Sequence, residues 1–399
     1  MRSMKGLIGW ALGALLLSAG AHAQEPIKVG FPMGISGVAA SYGIPYLRGA
    51  EIAAADINAA GGVLGRKIEV IPRDTRTNAD EAVRQARELI LQDKVDVLIG
   101  ASSSAEAAAL STIAKENEVV FATPSAKGDS LTAPQNLHPY VFRFYANTTI
   151  EGQSAALLMA KWPNVKRVAT MLPDYGYGRE LGTAFVAAIK KVRPDIQIVD
   201  QQWPRFGEQD FTPFIRAQMA AKPDAVLGAI FGADVIAFVK QAMPLGYFQA
   251  VDNRAIFAAD SGGVETTQAI GPDFPFGIIM ETCDPVIWNG TEPEAHKIFT
   301  ENVKRAMNVQ YGSGLAILGY NAMIGVADAI RKAGSTDPDA ISKALAGLQF
   351  DTPTGKLTMD AATHETHATG FWGQMVKVPD YPFAVMSNPA RVDLAAMPR

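Results

Sequence analysis

The stretch VDVLIGASSSAE, residues 95–106, decides the fold of this chain. Its first six residues form an apolar run of the kind that a strand shows when helices cover both of its faces. Small residues follow, and from Ala105 the spacing of apolar side chains predicts a helix that ends at Glu116. A buried strand, a short turn and a helix make up the repeating unit of a parallel α/β sheet.

The same unit recurs on both sides of this stretch. A first run predicts strands at 27–31, 67–71, 95–100 and 119–122, separated by helices at 46–58, 78–92 and 105–116. A second run predicts strands at 168–172, 196–199, 225–230 and 255–258, separated by helices at 178–192, 211–221 and 234–243. Later segments predict strands at 277–280 and 372–378 and helices at 294–307, 315–332 and 339–346. The chain is therefore expected to be α/β, with two similar doubly wound, three-layer lobes.

The first residues have the pattern of a cleavable export signal. Arg2 and Lys5 precede an apolar run at 7–17, and Ala21-His22-Ala23 is a small-x-small cleavage pattern. We therefore expect residues 1–23 to be a signal peptide and the mature protein to be secreted. The apolar run is shorter than the roughly 20 residues of a spanning helix, so no stable membrane insertion is expected.

Composition and motifs argue against several classes of function. The net charge is −4 and no run of Lys or Arg is visible, which argues against nucleic acid as a partner. Glycines at 30–37 do not have the G-x-G-x-x-G spacing, and neither a P-loop nor a G-x-S-x-G elbow is found. The segment His364-Glu365-Thr366-His367 is not H-E-x-x-H and is expected in an exposed loop. We therefore expect no catalytic residue, no metal and no cofactor.

The turn at residues 100–106 is the clearest candidate for a binding site. Its small residues let a ligand approach the backbone, and its serine hydroxyls add hydrogen-bond donors. Free N–H groups at the start of a helix attract anions, so a carboxylate suits this turn. The alternative is that one of the serines only caps the helix.

Two charged residues also follow predicted strands. Lys127 lies in the turn at 123–128, which should adjoin the first turn, and it either reaches the same site or is a solvated surface charge. Asp260 follows a strand of the second lobe, where it either receives a ligand cation or only forms a turn.

Four aromatic residues lie in turns that follow predicted strands. They are Tyr42, Tyr175, Tyr177 and Phe231. Together they are suited to form the apolar walls of a cleft, although each one alone is explained equally well by ordinary packing. Because open α/β sheets bind ligands beyond the carboxyl ends of their strands, we expect a cleft between the two lobes.

Several segments of the chain resemble one protein family. They are 27–30, Ser36-Gly37, Tyr42-Gly43, Gly49-Ala50, DINAAGGVLG at 56–65, Ile99-Gly100, 102–104, 123–125, 174–178 and 210–212. The chain resembles the leucine/isoleucine/valine-binding proteins, which are type I periplasmic solute-binding proteins of branched-chain amino-acid-type ABC importers. The resemblance extends from about Ile27 to Val378, and the segment at 56–65 is its most specific part.

The resemblance implies a fold and its boundaries. Members of this family have two lobes joined by a hinge of three crossovers, and the lobes close on a ligand. Carried over to this sequence, lobe 1 comprises residues 24–146 and 279–352, and lobe 2 comprises residues 147–278 and 353–399. The resemblance also implies a periplasmic location and a partnership with the permease of an ABC importer.

The resemblance further implies a role for each candidate site residue. Ser104 matches the serine that binds the ligand carboxylate, with Ser103 beside it, and the turn of Ser125, Ala126 and Lys127 matches a second carboxylate-binding turn. Tyr42 matches an aromatic residue at the mouth of the cleft. Tyr177 and Phe231 match aromatic residues over the ligand side chain, and Asp260 falls where the family places an acid for the ligand ammonium.

The sequence departs from the family at Lys127. Amino-acid binders of the family tend to have a small hydroxyl residue there, and they often carry a cysteine pair in the first lobe, whereas Cys283 is the only cysteine here. We expect a non-enzymatic receptor for an amino acid or a related small carboxylate. Two alternatives stay open: a receptor for an aromatic acid, a dicarboxylate or an amide, and a ligand-sensing domain that feeds a signalling partner.

Overall fold

The computed structural model describes residues 25–398 of the chain. The predicted signal peptide, residues 1–23, lies outside the described residues. Among the residues that are described, no helix combines the length and the apolar character needed to cross a membrane.

The first lobe is built on a five-stranded parallel sheet in the order β2-β1-β3-β4-β5. The elements are β1 (Ile27–Met33), α1 (Ala40–Ala59), β2 (Ile68–Asp74), α2 (Ala79–Glu88), β3 (Val97–Ile99), α3 (Ser104–Glu116), β4 (Val120–Thr123) and β5 (Val141–Arg143). Strand β5 was not predicted, and α1 begins six residues before the predicted start at Tyr46. Pro45 lies inside α1 and hid its first turns from the apolar pattern.

The second lobe is built on a seven-stranded mixed sheet in the order β14-β13-β10-β9-β8-β6-β7. Its first elements are α4 (Thr148–Met159), β6 (Arg167–Met171), α5 (Gly176–Val192), β7 (Gln197–Gln202), α6 (Thr212–Ala221), β8 (Ala225–Gly228), α7 (Ala233–Ala242), α8 (Tyr247–Ala250), β9 (Ala255–Phe257), α9 (Val264–Ile270) and β10 (Ile279–Thr282). After β10 the chain returns to the first lobe.

The last part of the chain serves both lobes. Its elements are α10 (Glu294–Met307), α11 (Ala316–Ala333), α12 (Pro338–Leu345), β11 (Gln349–Thr352), β12 (Gly355–Thr358), β13 (Phe371–Val376) and β14 (Val385–Arg391). Helix α11 packs along α1 of the first lobe, whereas β13 and β14 are antiparallel strands added to the sheet of the second lobe. The chain thus crosses between the lobes three times, as the predicted fold class requires.

The strand within residues 95–100 is buried on both faces, as its sequence predicts. Val97 and Ile99 pack into one hydrophobic cluster, and Leu98 packs into another on the opposite side of the sheet. Successive side chains of a strand point to opposite faces, so helices must cover both sides of this sheet. The helix that follows β2 also begins as predicted, because the Asn78 side chain accepts a hydrogen bond from the N–H of Glu81 at 2.9 Å.

Two of the expected lobe boundaries are displaced by several residues. A boundary after residue 278 would assign β10 to the first lobe, but β10 pairs with β9 and β13 in the second sheet. A boundary after residue 352 would divide a hairpin, because β11 pairs with β12. Phe350 of that hairpin packs 5.7 Å from Phe144 at the end of the first sheet. Pairing partners distant in sequence decide these assignments, and the local sequence does not reveal them.

A buried arginine holds two of the crossovers together. Arg143, at the end of β5, is fully buried and contacts Glu365 of the third crossover, with 3.1 Å between Nε and Oε1. His364 was expected in an exposed loop, but it is half-buried and stacks on Phe142 at 4.3 Å. The first and third crossovers therefore pack against each other and restrain each other.

We predict that Gly319→Ala destabilises the protein by at least about 1–3 kcal/mol, the usual effect of overpacking. A Cβ at Gly319 would collide with the backbone carbonyl of Tyr46, and one at Gly49 would collide with that of Ala316, so α1 and α11 approach backbone to backbone. Gly176→Ala is the control, because nothing lies within 4 Å of its Cβ position. Urea unfolding of both variants tests this, and equal midpoints would contradict it.

Candidate functional site

The carboxyl ends of the two sheets face each other across a narrow cavity with a volume of about 30 Å³. The structure brings all nine sequence-predicted site residues to this cavity: Tyr42, Ser103, Ser104, Ser125, Ala126, Lys127, Tyr177, Phe231 and Asp260. Four further residues complete its lining: Tyr46, Ser102, Tyr175 and Ala259. The cavity thus draws on both lobes.

The serines at the start of α3 divide their roles. Ser103 is the cap, since its Oγ accepts from the N–H of Glu106 at 3.3 Å and donates to Glu106 Oε2 at 2.9 Å. Ser104 is the first helical residue, and its Oγ accepts from the N–H of Gly128 at 3.0 Å. The capping alternative therefore applies to Ser103, while Ser104 joins the two turns of the first lobe at the cavity.

Arg143 holds the second turn of the first lobe, residues 123–128, in place. This guanidinium donates to the carbonyl oxygens of Ala126 at 2.6 Å and Gly128 at 2.7 Å, on either side of Lys127. The Oγ1 of Thr123 accepts from the N–H of Ala126 at 3.1 Å. With its flanking carbonyls held in place, the turn points the Lys127 side chain across the cleft.

Lys127 is neither a solvated charge nor free for a ligand. It is 5% exposed, and its Nζ lies 2.7 Å from Glu151 Oε1, 3.0 Å from Asp260 Oδ2 and 2.8 Å from Glu281 Oε2. The three acids come from α4, from the turn after β9 and from β10, all in the second lobe. We call Lys127, Glu151, Asp260 and Glu281 the cleft ion cluster, which joins the lobes through the interior.

The acids of the cleft ion cluster are further restrained by tyrosines and backbone amides. Tyr177 donates to Glu151 Oε2 at 2.8 Å, and Tyr145 donates to Asp260 Oδ1 at 2.8 Å. The N–H of Ala259 donates to Glu151 at 2.7 Å, and that of Asp260 donates to Glu281 at 3.2 Å. Ala259 and Asp260 have φ of 62° and 52°, a left-handed pair that is strained for residues other than glycine. Asp260 therefore both forms the turn and pairs with a cation.

Burial and mutual attraction set the protonation of the cluster. Burial by itself lowers the pKa of Lys127, but the attraction of its three acids outweighs this and raises that pKa well above the ordinary value. Burial raises the pKa of Glu281 well above its ordinary value, despite the nearby lysine. Burial acts on Glu151 in the same direction, but Lys127 and hydrogen bonds overcome it and lower the pKa of Glu151. Glu151 is therefore the ionised partner.

Aromatic rings form the rest of the cavity wall. The Phe231 ring lies 5.5 Å from Tyr42, 6.1 Å from Tyr177 and 5.0 Å from Phe206, measured between ring centroids. Tyr42 also crosses the cleft, since its hydroxyl donates to the carbonyl of Ala259 at 2.9 Å. With this bond and the cleft ion cluster in place, the two lobes are closed on each other.

Glu151, Glu281 and Tyr145 were not among the sequence-predicted site residues. Glu151 stands in the first turn of α4, where an acid is usual because it suits the helix dipole. Glu281 directly follows the predicted strand at 277–280. Asp260 was predicted as a site residue because it is an acid in the corresponding place, just after the preceding strand. The same signal was therefore present at Glu281, whereas nothing local distinguishes Glu151 or Tyr145.

The two-lobed fold and its cleft agree with comparisons to known proteins. The family model for periplasmic binding proteins matches residues 26–378. The chain belongs to this family. A leucine-, isoleucine-, valine-, threonine- and alanine-binding protein of Pseudomonas aeruginosa is 27% identical over 346 residues, covering 85% of this chain and 87% of the relative. The Leu/Ile/Val-binding protein of Escherichia coli is 25% identical over 345 residues, covering 84% and 87%.

Solved structures show the same fold with different ligands. The branched-chain amino-acid-binding protein LivJ of Streptococcus pneumoniae, in complex with isoleucine, has a TM-score of 0.79 at 24% identity, covering 92% of this chain and all (100%) of the other. A solute-binding protein of Rhodopseudomonas palustris in complex with 3,4-dihydroxybenzoic acid has a TM-score of 0.80 at 23% identity, covering 92% and 96%. The match to the family model confirms the predicted class of periplasmic binding protein.

We predict opposite pH behaviour for two matched substitutions in the cleft ion cluster. Glu151→Gln removes the ionised partner of a buried lysine and should lower the free energy of unfolding by about 3 kcal/mol or more at pH 7. The low pKa of Glu151 stabilises the fold above pH 4.5, the ordinary glutamate value, so the loss should shrink as the pH falls.

The matched variant Glu281→Gln replaces the acid whose charge burial disfavours, so it should lower the free energy of unfolding by less than Glu151→Gln does at pH 7. Because the pKa of Glu281 is raised, the parent should lose stability relative to this variant as the pH rises above 4.5. Urea unfolding from about pH 3 to pH 8 measures both variants, because the Glu151 effect changes below pH 4.5 and the Glu281 effect changes above it. Equal losses at pH 7 would show that the assigned charges are wrong.

Proposed function

We propose that this periplasmic binding protein captures a small organic carboxylate with an apolar body between its lobes and delivers it to the permease of an ABC importer. The observation that carries the proposal is the open start of α3, with Ser104, facing a cavity whose opposite wall is aromatic. All nine predicted residues serve this site in the proposal.

The carboxylate end of the ligand is assigned to the first lobe. The first N–H groups of α3 have no partner within the helix, and the helix dipole favours a negative charge there. Since Ser104 Oγ accepts its bond from Gly128, its own proton remains for donation to the ligand. Ser125 and Ala126 line the same end of the cavity.

The body of the ligand is assigned to the aromatic wall. Tyr42, Tyr177 and Phe231 surround the cavity from both lobes, and such rings bury flat or branched apolar groups well. The relatives with known ligands support both kinds, because one structure holds isoleucine and others hold 3,4-dihydroxybenzoic acid or 4-hydroxybenzoate. Either an amino acid or an aromatic acid therefore satisfies this proposal.

The names of similar solved structures favour a transport role over a sensor role. Solved structures similar to this chain include several named as solute- or substrate-binding proteins of ABC transporters. Import requires that the closed receptor bind the permease through the lobe faces beside the cleft. If the protein serves import, deletion of its gene should abolish uptake of the ligand that the purified protein retains. If it is only a sensor, deletion should leave uptake intact and change only the cellular response to that ligand.

We predict that Ser104→Ala weakens ligand binding without unfolding the protein. Loss of a hydrogen bond to a charged carboxylate should raise Kd by the equivalent of about 1.5–3 kcal/mol. The ligand is first identified by mass spectrometry of what the purified protein retains, and titration calorimetry then gives Kd. Thr112→Ala is the control, since this hydroxyl lies on the exposed side of α3 and bonds only to Ala108. Unchanged affinity in folded Ser104→Ala would remove Ser104 from the site.

We also predict that ligand shifts the solution ensemble towards the closed form. Two lobes with a site between them close like a hinge around their ligand. Small-angle scattering of the protein stripped of ligand, then saturated with it, should show a smaller radius of gyration. An identical radius in both states would contradict ligand-driven closure.

A further inference from the structure

The three acids of the cleft ion cluster form a site for an ammonium group. Carboxylates from three separate elements of the second lobe, at Glu151, Asp260 and Glu281, converge on one point inside the cleft. An ammonium group has three or four N–H donors with no fixed plane, so three converging oxygens suit it well. In this structure the ammonium group at that point is Nζ of Lys127.

We infer that Lys127 fills from within the protein the position of a ligand ammonium group, so that the cleft takes carboxylates that carry no amine. The inference rests on the proposed function, because it specifies which carboxylates the same site accepts. It assigns Lys127 as the residue that determines this specificity.

The acids around Lys127 are already paired with this lysine and with other donors. Each of its three donors faces one acid, at 2.7–3.0 Å. The other oxygens of Glu151 and Asp260 accept from the hydroxyls of Tyr177 and Tyr145. A ligand amine in the closed cleft would therefore add a second buried cation beside Lys127, among acids that already pair with one, which is strongly unfavourable.

Lys127 also has no alternative position in which its ammonium would keep its ion pairs. Its ammonium lies 5.0 Å from the centre of the Tyr145 ring, and Arg143 holds the carbonyls on both sides of its backbone. A ligand amine that displaced Lys127 would deprive the lysine of its ion pairs. It would also place its own positive charge next to that of the lysine. The ligand class is therefore that of amine-free acids with a flat or branched apolar body, such as aromatic acids and branched aliphatic or 2-oxo acids.

Matched pairs of ligands test this inference on the parent protein. The pairs are 3-phenylpropanoate with phenylalanine and 4-methylpentanoate with leucine, which differ only in the α-amine. Calorimetry should show the amine-free member binding at least about tenfold more tightly. An equal or stronger affinity for the amino acids would overturn the inference while leaving the carboxylate site intact. If no carboxylate of either type binds, the proposed function fails and the inference fails with it.

The variant Lys127→Met tests the residue itself. Methionine keeps most of the side-chain volume but ends one atom earlier, so it vacates the Nζ position beside the three acids. The preference within each pair should then reverse, with phenylalanine and leucine gaining at least about tenfold over their amine-free partners. Ser104→Ala is the matched control, because it should weaken both members of a pair alike. An unchanged preference in Lys127→Met would overturn the inference.

A second measurement does not depend on the ligand. Methylammonium carries the N–H donors that the three acids need, whereas tetramethylammonium carries none. Methylammonium should therefore raise the melting temperature of Lys127→Met and leave that of the parent unchanged, and tetramethylammonium should do neither. If Lys127→Met does not fold, the double variant Lys127→Met with Glu151→Gln removes one charge of each sign and takes the ligand-pair test. Absence of methylammonium rescue in folded Lys127→Met would show that the cluster is not an ammonium site.

Discussion

The closed arrangement depends on one buried charge. Removing an ammonium from water is strongly unfavourable unless opposite charges and hydrogen bonds compensate it, and Lys127 finds all of that compensation in the other lobe. Closing the cleft and pairing Lys127 are therefore the same event. If the lobes part, the lysine and its acids regain water, so hydration in an open form offsets the ion pairs of the closed form and the cluster need not lock the protein shut. That balance is what a hinge-closing receptor requires.

A second buried cation, Arg143, holds the turn that positions Lys127. Arg143 has no exposure, and it donates to the carbonyls of Ala126 and Gly128, to Thr132 Oγ1 at 2.9 Å and to Glu365. A guanidinium presents its donors in a fixed plane, so it can hold several acceptors in one geometry. Arg143 thereby ties the turn that carries Lys127 to the third crossover. The position of the cleft lysine and the geometry of the hinge are set by the same side chain.

The two ends of the cavity are suited to groups of opposite charge. The first lobe offers helix N–H groups and hydroxyls, which are neutral donors suited to an anion, and the second lobe offers acids, which would repel one. Lys127 removes that conflict, since it compensates the acids before a ligand arrives.

The sequence by itself determined the α/β class, the doubly buried strand at 95–100 and the edge at which the nine site residues would meet. These follow from local rules: apolar runs, turns after strands, and the fact that parallel strands end at one edge. Only the tertiary structure decided that Ser103 caps while Ser104 faces the cavity, that β10 belongs to the second lobe, and that Glu151 and Glu281 meet Lys127. The contact between Lys127 and Glu281 joins residues 154 positions apart, and the energy of a buried charge depends on such distant partners rather than on its neighbours in sequence.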